Sequence, residues 1–228
     1  MKSNAACRKP LAELSFELLE TLRWTPGDGF FLLERHLRRL EASARYFGFP
    51  CLIDEVRAAL NRAVMPSERA LRVRLLVGRD GGMQVEAVPL ESTTDPLHVG
   101  LAVKPIDPSN PFLFHKTTNR KHLESARLSG WDETILWNPA GQVTEALTAN
   151  VVVDLGGRAV TPPVECGLLA GTMRAELLGS GEIAEAPVSL DALRRASGFW
   201  LINSVRGWRQ AVLGGSADTA STNAHRLL

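Results

Sequence analysis

The sequence predicts an α+β fold in two parts, with helix and sheet mixed in the first and sheet dominant in the second. Three observations lead there. Over residues 34–47 the apolar positions Leu37, Leu40, Ala44 and Phe47 recur at three- and four-residue steps while Arg35, Arg38, Glu41 and Arg45 fall elsewhere, the pattern of an amphipathic helix. Leu71, Val73, Leu75 and Val77 alternate with Arg72 and Arg74, the pattern of a half-buried strand. Three prolines between 104 and 111 interrupt regular structure, and beyond them short strand signals separated by turn residues at 138–141 and 156–157 are the main feature.

Taken in order, residues 15–24 and 30–33 are rich in Leu and Phe and flank Thr25-Pro-Gly-Asp-Gly29, a cluster that punctuates two strands. The helix over 34–47 is expected to end at Gly48. A second is expected over 54–64, with Asp54 accepting hydrogen bonds from the free N–H groups of its first turn. The strand over 71–77 turns through 78–82 into a return strand over 83–88, and Val99, Leu101 and Val103 mark another. The proline segment sets the expected division: a first domain over 1–104, an interdomain loop over 105–112 and a second domain over 113–213. In the second domain strands are expected at 134–137, 142–145 and 151–155, and helices at 119–128, 172–178 and 189–195. The tail, 214–228, is small and polar with little to bury, and is expected to be mobile.

Among the 228 residues, 26 Lys and Arg balance 25 Asp and Glu, and 45% are hydrophobic. So even a balance gives nucleic acid or an anionic membrane no bulk charge to hold, and any anion chemistry must be local. No apolar run approaches the roughly 20 residues of a spanning helix, and the first ten residues lack the apolar core of a secretion signal, which points to a cytoplasmic protein. Cys7, Cys51 and Cys166 are odd in number and lack a C-x-x-C spacing, so reduced, buried thiols are expected, with no disulfide framework and no structural metal site.

Four local patterns could carry chemistry: His36-Leu-Arg-Arg-Leu40, His115-Lys-Thr-Thr-Asn-Arg120, Val143-Thr-Glu-Ala-Leu-Thr-Ala-Asn150 and Leu168-Leu-Ala-Gly-Thr-Met-Arg174. Each alone is weak. A helical Arg is ordinarily a solvated face, a Lys after a loop is ordinarily surface, and a Glu ending a strand is ordinarily a ladder residue. In the fourth pattern, Gly171, Thr172 and Met173 open a helix and so present free backbone N–H groups that suit an anion.

Together, in this order and spacing, the four patterns resemble the fold-type IV pyridoxal-phosphate enzymes, which are the class IV aminotransferase family. The resemblance runs from about Phe16 to Leu213 and includes Phe16-Glu-Leu-Leu-Glu-Thr-Leu-Arg-Trp24 and Asn203-Ser-Val-Arg-Gly-Trp208. Within the class it is to aminodeoxychorismate lyases, in particular the C-terminal lyase part of fused p-aminobenzoate synthases. It implies a small α/β N-terminal domain packed on a larger, sheet-rich, barrel-like C-terminal domain, with the cofactor pyridoxal 5'-phosphate in the cleft between them. Lys116 would attach that cofactor, Glu145 would sit against its pyridine nitrogen, and Asn150 would position its ring or phenolic oxygen. Arg39 and the 171–173 helix start would hold its phosphate. Met173 stands where many aminotransferases have Thr, which leaves the backbone contribution intact. The resemblance also implies a homodimer, and an aminodeoxychorismate synthase as a candidate partner.

Branched-chain aminotransferases carry a Tyr five residues beyond the lysine, where this chain has Lys121; its single tyrosine is Tyr46. Arg120 and Arg206, with Ser204 beside the latter, would instead meet a substrate with two carboxylates, as 4-amino-4-deoxychorismate has. The activity implied is its cleavage to p-aminobenzoate and pyruvate in folate biosynthesis. Transamination of a D- or branched-chain amino acid, or an inactive binding remnant, are the alternatives.

Overall fold

The computed structural model describes residues 14–65 and 67–214 and contains two sheets. The first is antiparallel, in the order β2-β1-β3-β4, and is formed by β1 (Leu18–Thr25), β2 (Gly29–Phe30), β3 (Leu71–Val77) and β4 (Met83–Pro89). Two helices, α1 (Leu33–Phe47) and α2 (Ile53–Ala63), cover one of its faces. The alternation in β3 decides which face: Leu71, Val73, Leu75 and Val77 are buried with Leu37 and Leu40 of α1 and Val56 and Leu60 of α2. Register pairs Leu22 with Val73 and Thr21 with Arg74, so Leu18 and Leu22 join that core while Leu19, Thr21, Arg72 and Arg74 share the opposite face. Gly48, at φ 70°, closes α1 through its N–H to the Ala44 carbonyl, a left-handed cap that glycine takes without steric cost.

The second sheet closes on itself. Its strands are β5 (Leu97–Leu101), β6 (Glu133–Trp137), β7 (Val143–Ala146), β8 (Asn150–Asp154), β9 (Ala159–Thr161), β10 (Ala184–Glu185), β11 (Phe199–Asn203) and β12 (Gly207–Leu213). Following neighbours from β8 through β11, β12, β5, β6 and β7 returns to β8 by the pair Glu145–Asn150, a six-stranded barrel with β9 and β10 extending its wall. Every strand of the barrel contributes to one apolar cluster, Val99, Ile135, Val143, Val151, Leu201 and Ala211 among them. Helix α5 (Leu190–Arg195) packs on that cluster through Leu193, and α4 (Thr172–Ser180) packs outside through Met173 and Leu177 against Val152 and Ile202. A short helix, α3 (Lys121–Glu124), precedes β6.

Several sequence expectations change. The return strand over 30–33 is two residues long, because α1 already begins at Leu33. Asp54 lies inside the first turn of α2, and the residue before the helix, Leu52, makes no side-chain cap. The 119–128 helix shrinks to four residues. Val103 is 74% exposed and outside β5. Strands β9 to β12 were not expected. The chain passes from the first sheet to the barrel within residues 90–96, ahead of the proline segment, since β5 pairs with β6 and β12. Cys166 is buried and Cys51 only partly so, and both are free thiols raised by burial; Cys7 and the tail beyond 214 lie outside the described residues.

Leu22 is fully buried where both sheet strands meet the helices. Leu22→Ala is expected to reduce the unfolding free energy by about 2–5 kcal/mol in urea titration, whereas Leu52→Ala, at a 65% exposed position, should change it by less than ~0.5 kcal/mol.

Candidate active site

The second face of the first sheet is only partly covered, with Leu19 buried and Arg72 and Arg74 still exposed. It roofs a cavity of about 450 Å³ whose floor comes from the barrel rim and the start of α4. All ten residues singled out in the sequence line it, from Arg39 on α1 to Arg206 in the β11–β12 turn.

Lys116 reaches the cavity because its segment lies along the free edge of β1. The Leu19 N–H donates to the Lys116 carbonyl at 3.0 Å, the Thr118 N–H donates to the Glu17 carbonyl at 2.9 Å, and Leu18 and Thr117 form an antiparallel bridge. Burial pushes the Lys116 ammonium down to about 8, helped by the Arg39 and Arg120 charges and opposed by Glu20 and Glu145. Glu145, on β7, is 6% exposed and is pushed up to about 8 by burial, against the Leu169 N–H and the cations of Lys116, Arg120 and Arg39. Among the described residues it forms no ion pair within 4 Å. Thr117 Oγ1, also facing this cavity's wall, is buried without a hydrogen-bond partner.

At the opposite end, Arg39 approaches the start of α4. Its Nε and Nη2 donate to Glu20 at 2.9 and 2.7 Å, and its Nη1 donates to the Ala170 carbonyl at 3.3 Å. Gly171 precedes the helix and offers no side-chain cap, so the first-turn N–H groups keep their capacity for an anion. A Cβ at Gly171 would stand 2.0 Å from Asn150 Oδ1, which is why no larger residue fits. Asn150 fastens this segment, its Nδ2 donating to the Leu169 carbonyl at 2.9 Å. The Met173 side chain belongs to the apolar cluster beneath α4.

Cations gather along the rest of the wall. Arg120 donates to the Leu147 carbonyl and Arg206 to the Glu91 carbonyl. Burial, Arg209 and Arg72 together lower the Arg206 guanidinium. Ser204 is buried in the same turn. Arg72, Arg74 and Thr21 also line the cavity and were missed in the sequence, where alternation marks them only as the face away from the core. Tyr46 is absent from the lining: its ring, 54% exposed, stacks on His115 at 4.3 Å between centroids, and Ser43 Oγ holds His115 Nδ1 at 3.0 Å.

The sequence profile of the class IV aminotransferases matches residues 17–213. The chain belongs to that family. Class IV relatives include a Schizosaccharomyces pombe protein provisionally named aminodeoxychorismate lyase, 34% identical over 199 residues that cover 82% of this chain and 86% of that one. A Thermotoga maritima protein provisionally named branched-chain-amino-acid aminotransferase is 28% identical, covering 79% of this chain and 67% of that one. Among solved structures, a provisionally named amino-acid aminotransferase from Mesorhizobium loti superposes with a TM-score of 0.82 at 38% identity, covering 87% of this chain and all of that one. The fold is therefore fold-type IV, and its family is one of pyridoxal-phosphate-dependent lyases and aminotransferases. No helix among the described residues is long and apolar enough to cross a membrane.

The Glu145 shift has a signed consequence in cofactor-free protein. Its folded value is above the ordinary 4.5, so the folded state holds the extra proton and stability is lost as pH rises between 4.5 and about 8. Glu145→Gln removes that loss. Thermal melts of the two cofactor-free proteins should diverge in favour of the variant by at least ~1 kcal/mol between pH 5 and 8, and parallel curves would contradict it.

Proposed function

We propose that this class IV enzyme is a pyridoxal-phosphate-dependent lyase that converts 4-amino-4-deoxychorismate to p-aminobenzoate and pyruvate. The observation that carries the reading is a cavity with one amine, a surrounding set of arginines from both sheets and no tyrosine in its lining. The S. pombe relative's name supports it.

The residues fit that cofactor. Glu145 is a carboxyl that burial pushes up to about 8 and that has no ion-pair partner within 4 Å among the described residues, and a pyridinium N–H would supply one. The start of α4 and Arg39 suit a phosphate, and the Gly171 position must stay without a side chain. When bound, pyridoxal phosphate supplies an aldehyde for covalent attachment and a ring that withdraws electrons.

The rest is the work of the chain. Lys116, held near 8, keeps enough neutral amine at neutral pH to condense with an aldehyde, with loss of water, and once the substrate's amine has displaced it the freed side chain would take a proton from the substrate carbon beside that amine. Glu145 would hold a proton on the ring nitrogen of a bound cofactor and so sustain its electron withdrawal. Arg120 and Arg206, with Arg72 and Arg74 from the roof, face the two carboxylates of the substrate, one on its ring and one on its enolpyruvyl arm. Loss of enolpyruvate aromatises the ring, which drives the reaction forward, and protonation of the leaving group gives pyruvate. Amino nitrogen stays on the product, so no keto acid is consumed. This reading carries with it a synthase that supplies the substrate, a place in folate biosynthesis and a homodimeric assembly. The second reading, transamination of a D- or branched-chain amino acid, is favoured by the names of the T. maritima and M. loti relatives and requires a keto-acid acceptor.

The decisive assay supplies aminodeoxychorismate in situ from a synthase and follows p-aminobenzoate fluorescence with matching pyruvate. Stoichiometric release supports the lyase; a yellow, cofactor-loaded protein that releases neither, but moves amino groups to a keto acid, replaces it with the aminotransferase. Lys116→Ala should fall to the background rate. Arg206→Ala and Arg74→Ala should each raise KM about tenfold or more, and an unchanged KM in both would sink the two-carboxylate assignment.

A further inference from the structure

Glu20 occupies the one charged position on an apolar stripe. Leu18, Glu20 and Leu22 share the core face of β1, and Glu20 is 2% exposed between two leucines that are fully buried. A lone carboxylate there would be expelled or protonated. Burial works against the charge, but the Arg39 guanidinium and the hydrogen bonds from Arg39 and His36 hold the carboxyl down at about 2. Glu20 Oε2 accepts from both Arg39 Nη2 and His36 Nδ1, each at 2.7 Å. Because a carboxylate only accepts, Nδ1 carries the proton, and the far ring nitrogen, Nε2, is presented to Thr172 Oγ1 at 3.2 Å.

Such a buried ionic cluster contributes little net stability, since apolar residues of similar volume usually do as well or better. Its geometry has another use. Glu20, His36 and Arg39 belong to the first sheet and α1, whereas Thr172 and Ala170 belong to the start of α4, so the cluster ties together the two halves of the cavity's anion-accepting end. Arg39 has five N–H donors, three of them engaged by Glu20 and Ala170, which leaves two for a ligand in the cavity it lines. The direction of those two is fixed by the two bonds to Glu20.

We propose that Glu20 and His36 are positioning residues for the cofactor's phosphate: Glu20 orients Arg39 directly, and His36 relays the same carboxylate to the Thr172 hydroxyl, so that both sides of the phosphate cradle are set by one buried group. This inference rests on the pyridoxal phosphate reading above, and goes beyond it by assigning residues that cannot touch the reacting atoms.

The test compares the dissociation constants of pyridoxal 5'-phosphate and of pyridoxal, which lacks the phosphate, by absorbance titration of cofactor-stripped protein. Wild type should bind the phosphorylated form about tenfold or more tightly. Glu20→Gln should lose most of that preference while its pyridoxal affinity stays within about twofold, a pattern that general loosening of the fold would not produce. His36→Asn keeps an N–H for Glu20 but drops the Thr172 contact, and should lose a smaller part of the preference, about threefold. It carries the test alone if Glu20→Gln does not fold. An unchanged preference in a folded variant, or equal weakening of both ligands, overturns the positioning role. If wild type itself binds neither compound, the cofactor reading fails, and this inference with it.

Discussion

Strand β1 must satisfy three neighbours at once, and the site follows from how it does so. One face lies in the helix-covered core, the other roofs the cavity, and one edge takes up residues 116–118. A strand alternates its side chains strictly, so a one-residue slip of β1 would send Thr21 into the apolar core and Leu22 towards the cavity, and a slip of β3 would do the same with Arg72 and Arg74 against Val73. The core therefore sets the site. Burial of Leu18, Leu22, Val73 and Leu75 fixes the register, and the register fixes which arginines face the ligand.

The electrostatics are local in the same sense. A chain whose charges nearly cancel concentrates Arg39, Lys116, Arg120, Arg206, Arg72 and Arg74 around one cavity, where only Glu145 opposes them among the lining acids. Burial drives the two central groups in opposite directions to meet near 8, the amine losing its charge and the acid losing its own. Both shifts have a cost in the empty protein, and both favour a ligand that brings an electrophile to the amine and a cation to the acid. The arginines at the rim hold backbone carbonyls from the barrel rim and the 90–96 crossing, although burial, Arg209 and Arg72 disfavour the Arg206 charge as well.

The helix over 34–47, the hairpin of β3 and β4 and a helix near 189–195 were legible because each is decided by neighbours a few residues away. The family resemblance, which spans nearly the whole chain, marked Arg39, Lys116, Glu145 and Gly171 as candidates, and all four line the same cavity. Elements that depend on distant partners were not legible. The strand β12 reads Gly207-Trp-Arg-Gln with no clean alternation, and it is a strand because β11 and β5 flank it. The expected helix over 119–128 had apolar residues at suitable spacing, yet only one turn forms.

By itself, then, the sequence determined which side of each local element is apolar, where the glycine caps fall and which residue types stand at the cofactor-like motifs. Only the tertiary structure decided what the polar sides face. Arg72 and Arg74 have the same alternation whether they meet water or a ligand, and Glu20 looks misplaced on its stripe until α1 brings Arg39 and His36 over it. Periodicity reports the orientation of a side chain relative to its own backbone; what lies opposite is set by contacts far apart along the chain.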